Sequence, residues 1–499
     1  MLRLPTSTLI VLLLAAPGVA AAQDAPKYTV AFDAPKQEVA VKLCLAHAHA
    51  QVTFAADSDS AMRFIHDAQR GGTGTLEAGD GEWKANAWRA GECLSYRADL
   101  SAIAAQHDPD AGLRLGDDLV TAPQLWLLRP DVQGDADAEL RISLPAGWSI
   151  SAPWRELPAQ NANMSSAEAK GKSVLFSIPN TPANWSAAVA IGHFDEERIE
   201  LPGGVLRLTI LHGADAQQRI KLRDWLAHVS RAVLSAYGRL PLADVQVLML
   251  PVNSLGMAQR VVSAFAARPV HFGQSVRGEG NALELLVDPS LPAAEFDADW
   301  IAVHELSHLM HPYLGDRGSW LAEGLATYYQ NILRARAGLL TPAQAWDRMR
   351  MGFAGAAAKP YSDTLEQAAR NMHRTHAFDR VYWSGAAYWL TVDRDLRRAS
   401  AGKLSMELAL SRFRDCCLPS HREWAPQEFV AKLDGLLGVR TFSLRYQEFS
   451  TMRQFPDWQK LFAELGIQMG GEHLTFDAGA ADAAAREAIT APSTQAAPR

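Results

Sequence analysis

A chain of 499 residues exceeds what one ordinary hydrophobic core organises, so two or more domains are expected. The formal net charge of -7, without clustered Lys and Arg, gives no electrostatic hold on phosphate backbones or anionic lipid, which counts against nucleic acid as a partner.

The first 22 residues carry the cationic Arg3, an apolar run from Leu9 to Ala16, a Pro17-Gly18 break and the small residues Ala20 to Ala22. This is the layout of a secretory signal cleaved before Gln23. The apolar run falls short of the roughly 20 residues of a spanning helix. A periplasmic or secreted protein is expected, with no stable membrane insertion after signal removal. In such a compartment disulfides persist, and Cys44 and Cys93 can close a loop. The neighbours Cys416 and Cys417 are expected as thiols or bonded elsewhere, because bridging adjacent residues needs strained geometry.

From 23 to 201 the predicted elements are strands. "AELRISLP" places Leu140, Ile142 and Leu144 on one face, and "KSVLFSIP" and "AAVAIGHF" follow, each bounded by turn residues. A β-rich, sandwich-like domain is predicted, with Trp83, Trp88, Trp126, Trp148 and Trp154 read as core rather than as a sugar platform. The turn at Pro202-Gly203-Gly204 separates it from a second domain, 202–475. There the pattern predicts a strand in "VLRLTILHG", a helix over 216–237, strands in "VQVLMLPV" and "NALELLVDP", and almost wholly helical structure after Asp297. Thr341-Pro342 is a helix start. Residues 476–499 are Ala-rich, lack a repeating apolar face and are expected to be disordered.

The chemistry concentrates in "VHELSHLMHPYLGDRGSWLAEGLATYY". His304 and His308, four apart on a helix, present both imidazoles on one face to a single ion. Glu305 flanks that face, placed to act as a proton acceptor without ligating. The helix ends near Pro312, and a second one, capped by Ser319 and stopped by Gly338, carries Glu323 as the third ligand. One zinc ion held by His304, His308 and Glu323 is the expected cofactor.

"HELSH" followed by "WLAEGLATYY" resembles the gluzincin metallopeptidases of the peptidase MA clan, whose second helix offers a Glu through "W-x-x-E-G". Fourteen residues separate His308 from Glu323, fewer than in thermolysin or the aminopeptidase N family. Downstream, "VYWSGAAYWLTVDRDLRRASAGKLSMELAL" is similar to the glycyl aminopeptidase family, with Ser384 where that family has Lys and no room for its PDZ module. The resemblance implies a thermolysin-like α+β catalytic domain. It also implies a role for Tyr382 in holding the oxyanion. His311, His373 and His376 are available as well, to orient a ligand or meet charge, but each reads more readily as a surface or supporting residue. The acidic residue that would hold a substrate amine has no clear equivalent. Glu279 is nearest and reads better as a turn residue. The strand "NALELLVD" is offered as an edge that pairs with an extended peptide.

These readings converge on an exported zinc metallopeptidase, possible aminopeptidase specificity included, that acts on a peptide or protein substrate. The competing reading is a catalytically silent, zinc-binding exported protein that holds a protein or peptide partner.

Overall fold

The structure, a computed structural model, describes residues 24–55, 59–71, 75–79, 81–158, 171–182, 185–252, 268–278, 280–470 and 473–492. The expected signal segment and Glu279 lie outside the described residues.

The N-terminal part is built of strands around one core. A seven-stranded sheet runs, in spatial order, Arg155–Leu157, Gly171–Ile178, Ala138–Pro145, Lys27–Asp33, Glu38–Cys44, Cys93–Asp99 and Ile65–Arg70. Two four-stranded sheets, one containing His49–Ala55 and Glu82–Trp88, the other Asp118–Thr121 and Val189–Gly192, close over it. Leu140, Ile142 and Leu144 are buried on alternate positions, as are Tyr28, Val30 and Phe32. That is the pattern of a strand with one wet face. Trp88, Trp126 and Trp154 are sealed in this core, Trp83 is nearly so, and Trp148 packs at its margin. Cys44 and Cys93 face each other across adjacent antiparallel strands and are joined by a disulfide.

In the second part, strands β1 (Glu196–Leu201), β2 (Gly204–Ile210), β3 (Asp244–Pro251), β4 (Val270–Val276) and β5 (Ala282–Val287) form one sheet in the order β1-β2-β3-β5-β4. β2, β3 and β5 are parallel, and β1 and β4 are antiparallel edges. Two expectations change here. Pro202-Gly203-Gly204 is a hairpin turn inside this sheet, so the boundary between the two parts falls before Glu196. The strand "NALELLVD" is interior, because "VHFGQSV" pairs outside it and forms the edge.

The parallel strands are buried on both faces. Val247, Met249, Leu283 and Leu285 point to the helices, while Leu248 and Leu250 join Leu113, Leu115, Val120 and Phe194 in a core shared with the N-terminal part. Arg207, itself buried, crosses that junction. It donates to Asp244 (2.8 Å), Glu196 (3.1 Å) and the carbonyls of Ala152 and Trp154 (2.9 and 3.1 Å). A buried guanidinium satisfied on so many sides fixes the orientation of the two parts.

Helix α1 (Ala216–Tyr237) opens with an Asp215/Gln218 capping box and ends at Gly238 in the left-handed region. It packs on α2 (Ile301–His308) and α3 (Gly315–Arg336). Helix α4 (Pro342–Ala357) starts at Thr341 as the sequence predicts, and α5 (Phe378–Ser400) lies along α3. Helix α3 begins at Gly315, one turn ahead of the expected Ser319 cap, because the connection from α2 is short and Leu314 enters the helix directly. Two further expectations are overturned. Cys416 and Cys417 are bonded to each other. Residues 476–492 are not a disordered tail: helix Ala483–Thr490 buries Ala483, Ala485 and Ile489, and the Arg336 Nε donates to the Ile489 carbonyl at 2.7 Å. A short Ala-rich helix without a long apolar stripe still docks when two small residues and one Ile meet a waiting groove. Residues 493–499 lie outside the described set. No described helix is long and apolar enough to cross a membrane.

Candidate active site and metal centre

Helix α2 is buried along its whole length, His304, Glu305 and His308 included. Its apolar side, Val303 and Leu306, sits in the main core and leaves the imidazoles facing α3. His304 Nε2 lies 3.2 Å and His308 Nε2 3.5 Å from the same oxygen, Oε2 of Glu323. One ligand atom from each of the three side chains lies within 4.8 Å of the others, the spacing of a metal cluster.

The rear of each imidazole is held as well. His304 Nδ1 is 2.8 Å from Oε1 of Gln330, which lies two turns beyond Glu323 on α3. His308 Nδ1 is 3.1 Å from Nε2 of His311, and His311 Nδ1 is 2.7 Å from the Pro312 carbonyl. The carbonyl can only accept, so His311 carries its proton on Nδ1 and presents Nε2 as an acceptor to His308. Burial, with Arg277 and His308 beside it, holds the His311 pKa well below the usual histidine range, consistent with that neutral form. With these partners, both His304 and His308 carry hydrogen on Nδ1 and direct an Nε2 lone pair at one point. Two lone pairs and a carboxylate converging inside the protein fit a tetrahedral N/O cation such as zinc, with a corner left open. Of the three extra histidines, His311 backs the His308 ring, His373 is exposed at the cleft rim, and His376 lines a separate cavity.

Glu305 faces the cleft from the adjacent position on α2. Burial pushes its carboxyl upward, against the opposing pull of His308 and His304. Burial would raise Glu323 also, but His308 and His304 outweigh it and hold that carboxyl well below the ordinary range. The edge strand β4 supports Glu305: the Ser275 hydroxyl donates to its backbone carbonyl at 2.7 Å. A Cβ on Gly273 would stand 2.6 Å from Ile301 Cγ2 and 2.8 Å from Glu305 Cγ, so only glycine lets β4 approach α2 this closely.

Tyr382 comes from α5. Its ring stacks on His304 at 5.9 Å between centroids, and it lines the same cleft. Burial, then the nearby Glu323 carboxylate, pushes the phenol upward, so it is a proton-bearing donor at neutral pH. A close helix crossing places it. A Cβ on Gly385 would fall 1.9 Å from the Trp320 carbonyl, and one on Gly324 would fall 2.4 Å from Gly385 Cα. The glycines of "WLAEG" and "YWSGA" therefore touch, which puts Glu323 and Tyr382, one residue and three residues away, on the same cleft. Trp389 Nε1 to the Leu321 carbonyl (2.8 Å) and the Tyr328 hydroxyl to Asp393 (2.8 Å) lock that crossing.

Sequence reasoning missed Gln330, Ser275 and Arg277. Gln330 was readable as the residue seven beyond Glu323, on the same helix face; the other two depend on strand placement. Arg277 lines the cleft and its Nη2 donates to the carbonyls of His308 and His311, at the end of α2. Burial lowers its pKa to about 10, leaving it charged at neutral pH. The cleft holds about 340 Å³, with Phe272, Tyr313, Met372 and Tyr382 among its walls.

No protein-family model matches the chain, and no curated protein matches it at a significant level. Solved structures are similar in fold. The aminopeptidase N family protein from Idiomarina loihiensis aligns with a TM-score of 0.65 over 89% of this chain and 78% of its own, at 13% identity. The M1 zinc metallopeptidase from Deinococcus radiodurans aligns with a TM-score of 0.52 over 86% and 93%, at 14% identity. The chain therefore shares the fold of these aminopeptidase N family and M1 metallopeptidase structures: a β-rich N-terminal part followed by a mixed and then mostly helical one.

Proposed function

We propose that the protein is an exported zinc-dependent peptidase that hydrolyses peptide bonds in a peptide or protein substrate. The observation that carries this reading is the convergence of His304 Nε2, His308 Nε2 and Glu323 Oε2 beside a separate buried carboxylate, Glu305. The solved structures of like fold, which include M1 zinc metallopeptidases, support it. The Cys44–Cys93 disulfide supports export.

A zinc ion at this site supplies Lewis acidity toward the scissile carbonyl and lowers the pKa of water. The chain's own groups do the rest. The Glu305 carboxylate takes the proton of the attacking water and delivers it to the departing nitrogen, a transfer favoured by a carboxyl raised through burial. The Tyr382 hydroxyl donates a hydrogen bond to the oxygen that gains charge. The wall of β4, the edge of the sheet among the described residues, offers backbone groups to an extended chain.

Digestion of a peptide library, with and without a chelator and with zinc restored, tests the proposal. Cleavage that disappears on chelation and returns with zinc is expected. A protein that binds zinc stoichiometrically and cuts nothing would instead be the catalytically silent partner-holding protein.

A further inference from the structure

Among the described residues, the cleft contains one guanidinium or ammonium group, and no described carboxylate neutralises it directly. Arg277 leaves the end of β4 and anchors through Nη2 to the His308 and His311 carbonyls. Its Nε and Nη1 make no hydrogen bond to a described residue, and it forms no ion pair among them. Glu305 and Glu323 lie within electrostatic reach, but each already has a task, one as proton acceptor and one as ligand. The remaining acidic group lining the cleft among the described residues is Asp316, exposed at the rim. Gln274, which lines the cleft from the edge strand, is uncharged, and its amide is spent on Glu284 at 2.9 Å.

This balance is wrong for holding a substrate's free ammonium group and right for holding an anion. We propose that Arg277 selects substrates by a free carboxylate, so that the enzyme prefers peptides presenting one near the scissile bond over those presenting only an amine. The inference rests on the peptidase reading for its biological sense, but its physical content is a binding preference. Anchored by carbonyls at the end of α2, the guanidinium is held in place before substrate arrives and loses little rotamer freedom on binding.

The probes are N-acetylated alanine tripeptides: the free acid, the C-terminal amide, and the amide with Asp as its last residue. Their affinities for zinc-loaded Glu305→Gln protein are measured by calorimetry, and their turnover by the wild-type enzyme in parallel. The free acid is expected to bind about tenfold or more tightly than the amide, the range of one charge-assisted hydrogen bond. Recovery of affinity by the Asp amide would place the preferred carboxylate on a side chain; failure to recover would place it at the C-terminus. In Glu305→Gln/Arg277→Gln protein the acid/amide ratio should fall to near one. Equal affinities for acid and amide, or a ratio unchanged when Arg277 is replaced, overturn the proposal. Discrimination in binding with no cleavage of any peptide by the wild type would leave the carboxylate site standing and reject the peptidase reading.

Discussion

The crossing of α3 and α5 makes a sharp prediction at Gly385. A methyl group there would lie 1.9 Å from the Trp320 carbonyl and 2.7 Å from Gly324 Cα. Ordinary contact begins near 3.4 Å, so the helices must part locally by about 1.5 Å, and backbone cannot rotate away as a side chain can. Overpacking of this kind costs about 1–3 kcal/mol. The larger effect falls on the site, because Glu323 precedes Gly324 and Tyr382 sits one turn before Gly385: a shift of about 1 Å in a reacting group costs on the order of 100-fold in rate. Gly385→Ala should therefore lower the urea midpoint, reduce zinc retained after dialysis and depress kcat/KM about 100-fold or more. Gly355→Ala on α4 is the control, since a methyl there meets nothing within 4 Å and should leave stability equal or raised by up to about 1 kcal/mol. Wild-type metal content, midpoint and kcat/KM in Gly385→Ala would refute the account of how the crossing positions the site.

Other consequences are as direct. Glu305→Gln should bind zinc as the wild type does, yet lose about 100-fold or more in kcat, read by metal analysis and turnover on one substrate. Glu323→Gln should weaken zinc retention, followed with a chromogenic chelator; unchanged affinity would remove Glu323 from the ligand set. Gln330→Ala should weaken zinc by about 10-fold or more through loss of the hydrogen bond that fixes His304. Glu284, sealed between β4 and the N-terminal part, has its pKa raised by burial to about 7. An acid raised on folding holds its proton in the native state after the unfolded chain has lost it. Stability therefore falls as pH rises from about 4.5 to about 7 and is level above, by at most about 3 kcal/mol. Urea unfolding at pH 5 and pH 8 should show this slope, and Glu284→Gln should flatten it. The Cys44–Cys93 bridge closes a loop spanning 49 residues, and its removal should cost about 2–4 kcal/mol in urea unfolding at fixed pH.

Local rules carried most of the chemistry. The four-residue spacing of His304 and His308, the Glu between them and the Glu of "WLAEG" are properties of helix geometry, legible wherever an apolar helix keeps polar groups on one face. The same holds for the alternation in "AELRISLP", the cap at Thr341 and the stop at Gly338. Each depends on neighbours a few residues away. What the linear chain could not specify depends on partners far apart in it. Which strand is the sheet edge follows from pairing among segments up to about forty residues apart, and it moved the edge position from "NALELLVD" to "VHFGQSV". That exchange brought Gly273, Ser275 and Arg277 to the cleft. Choosing His311 over His373 and His376 as the partner of His308 required the turn after α2 to be folded. The terminal helix found burial in a groove made by distant elements. Sequence by itself determined the donors and their spacing; the tertiary structure decided how each is oriented and what charge stands opposite, because orientation comes from packing between elements and spacing from geometry within one.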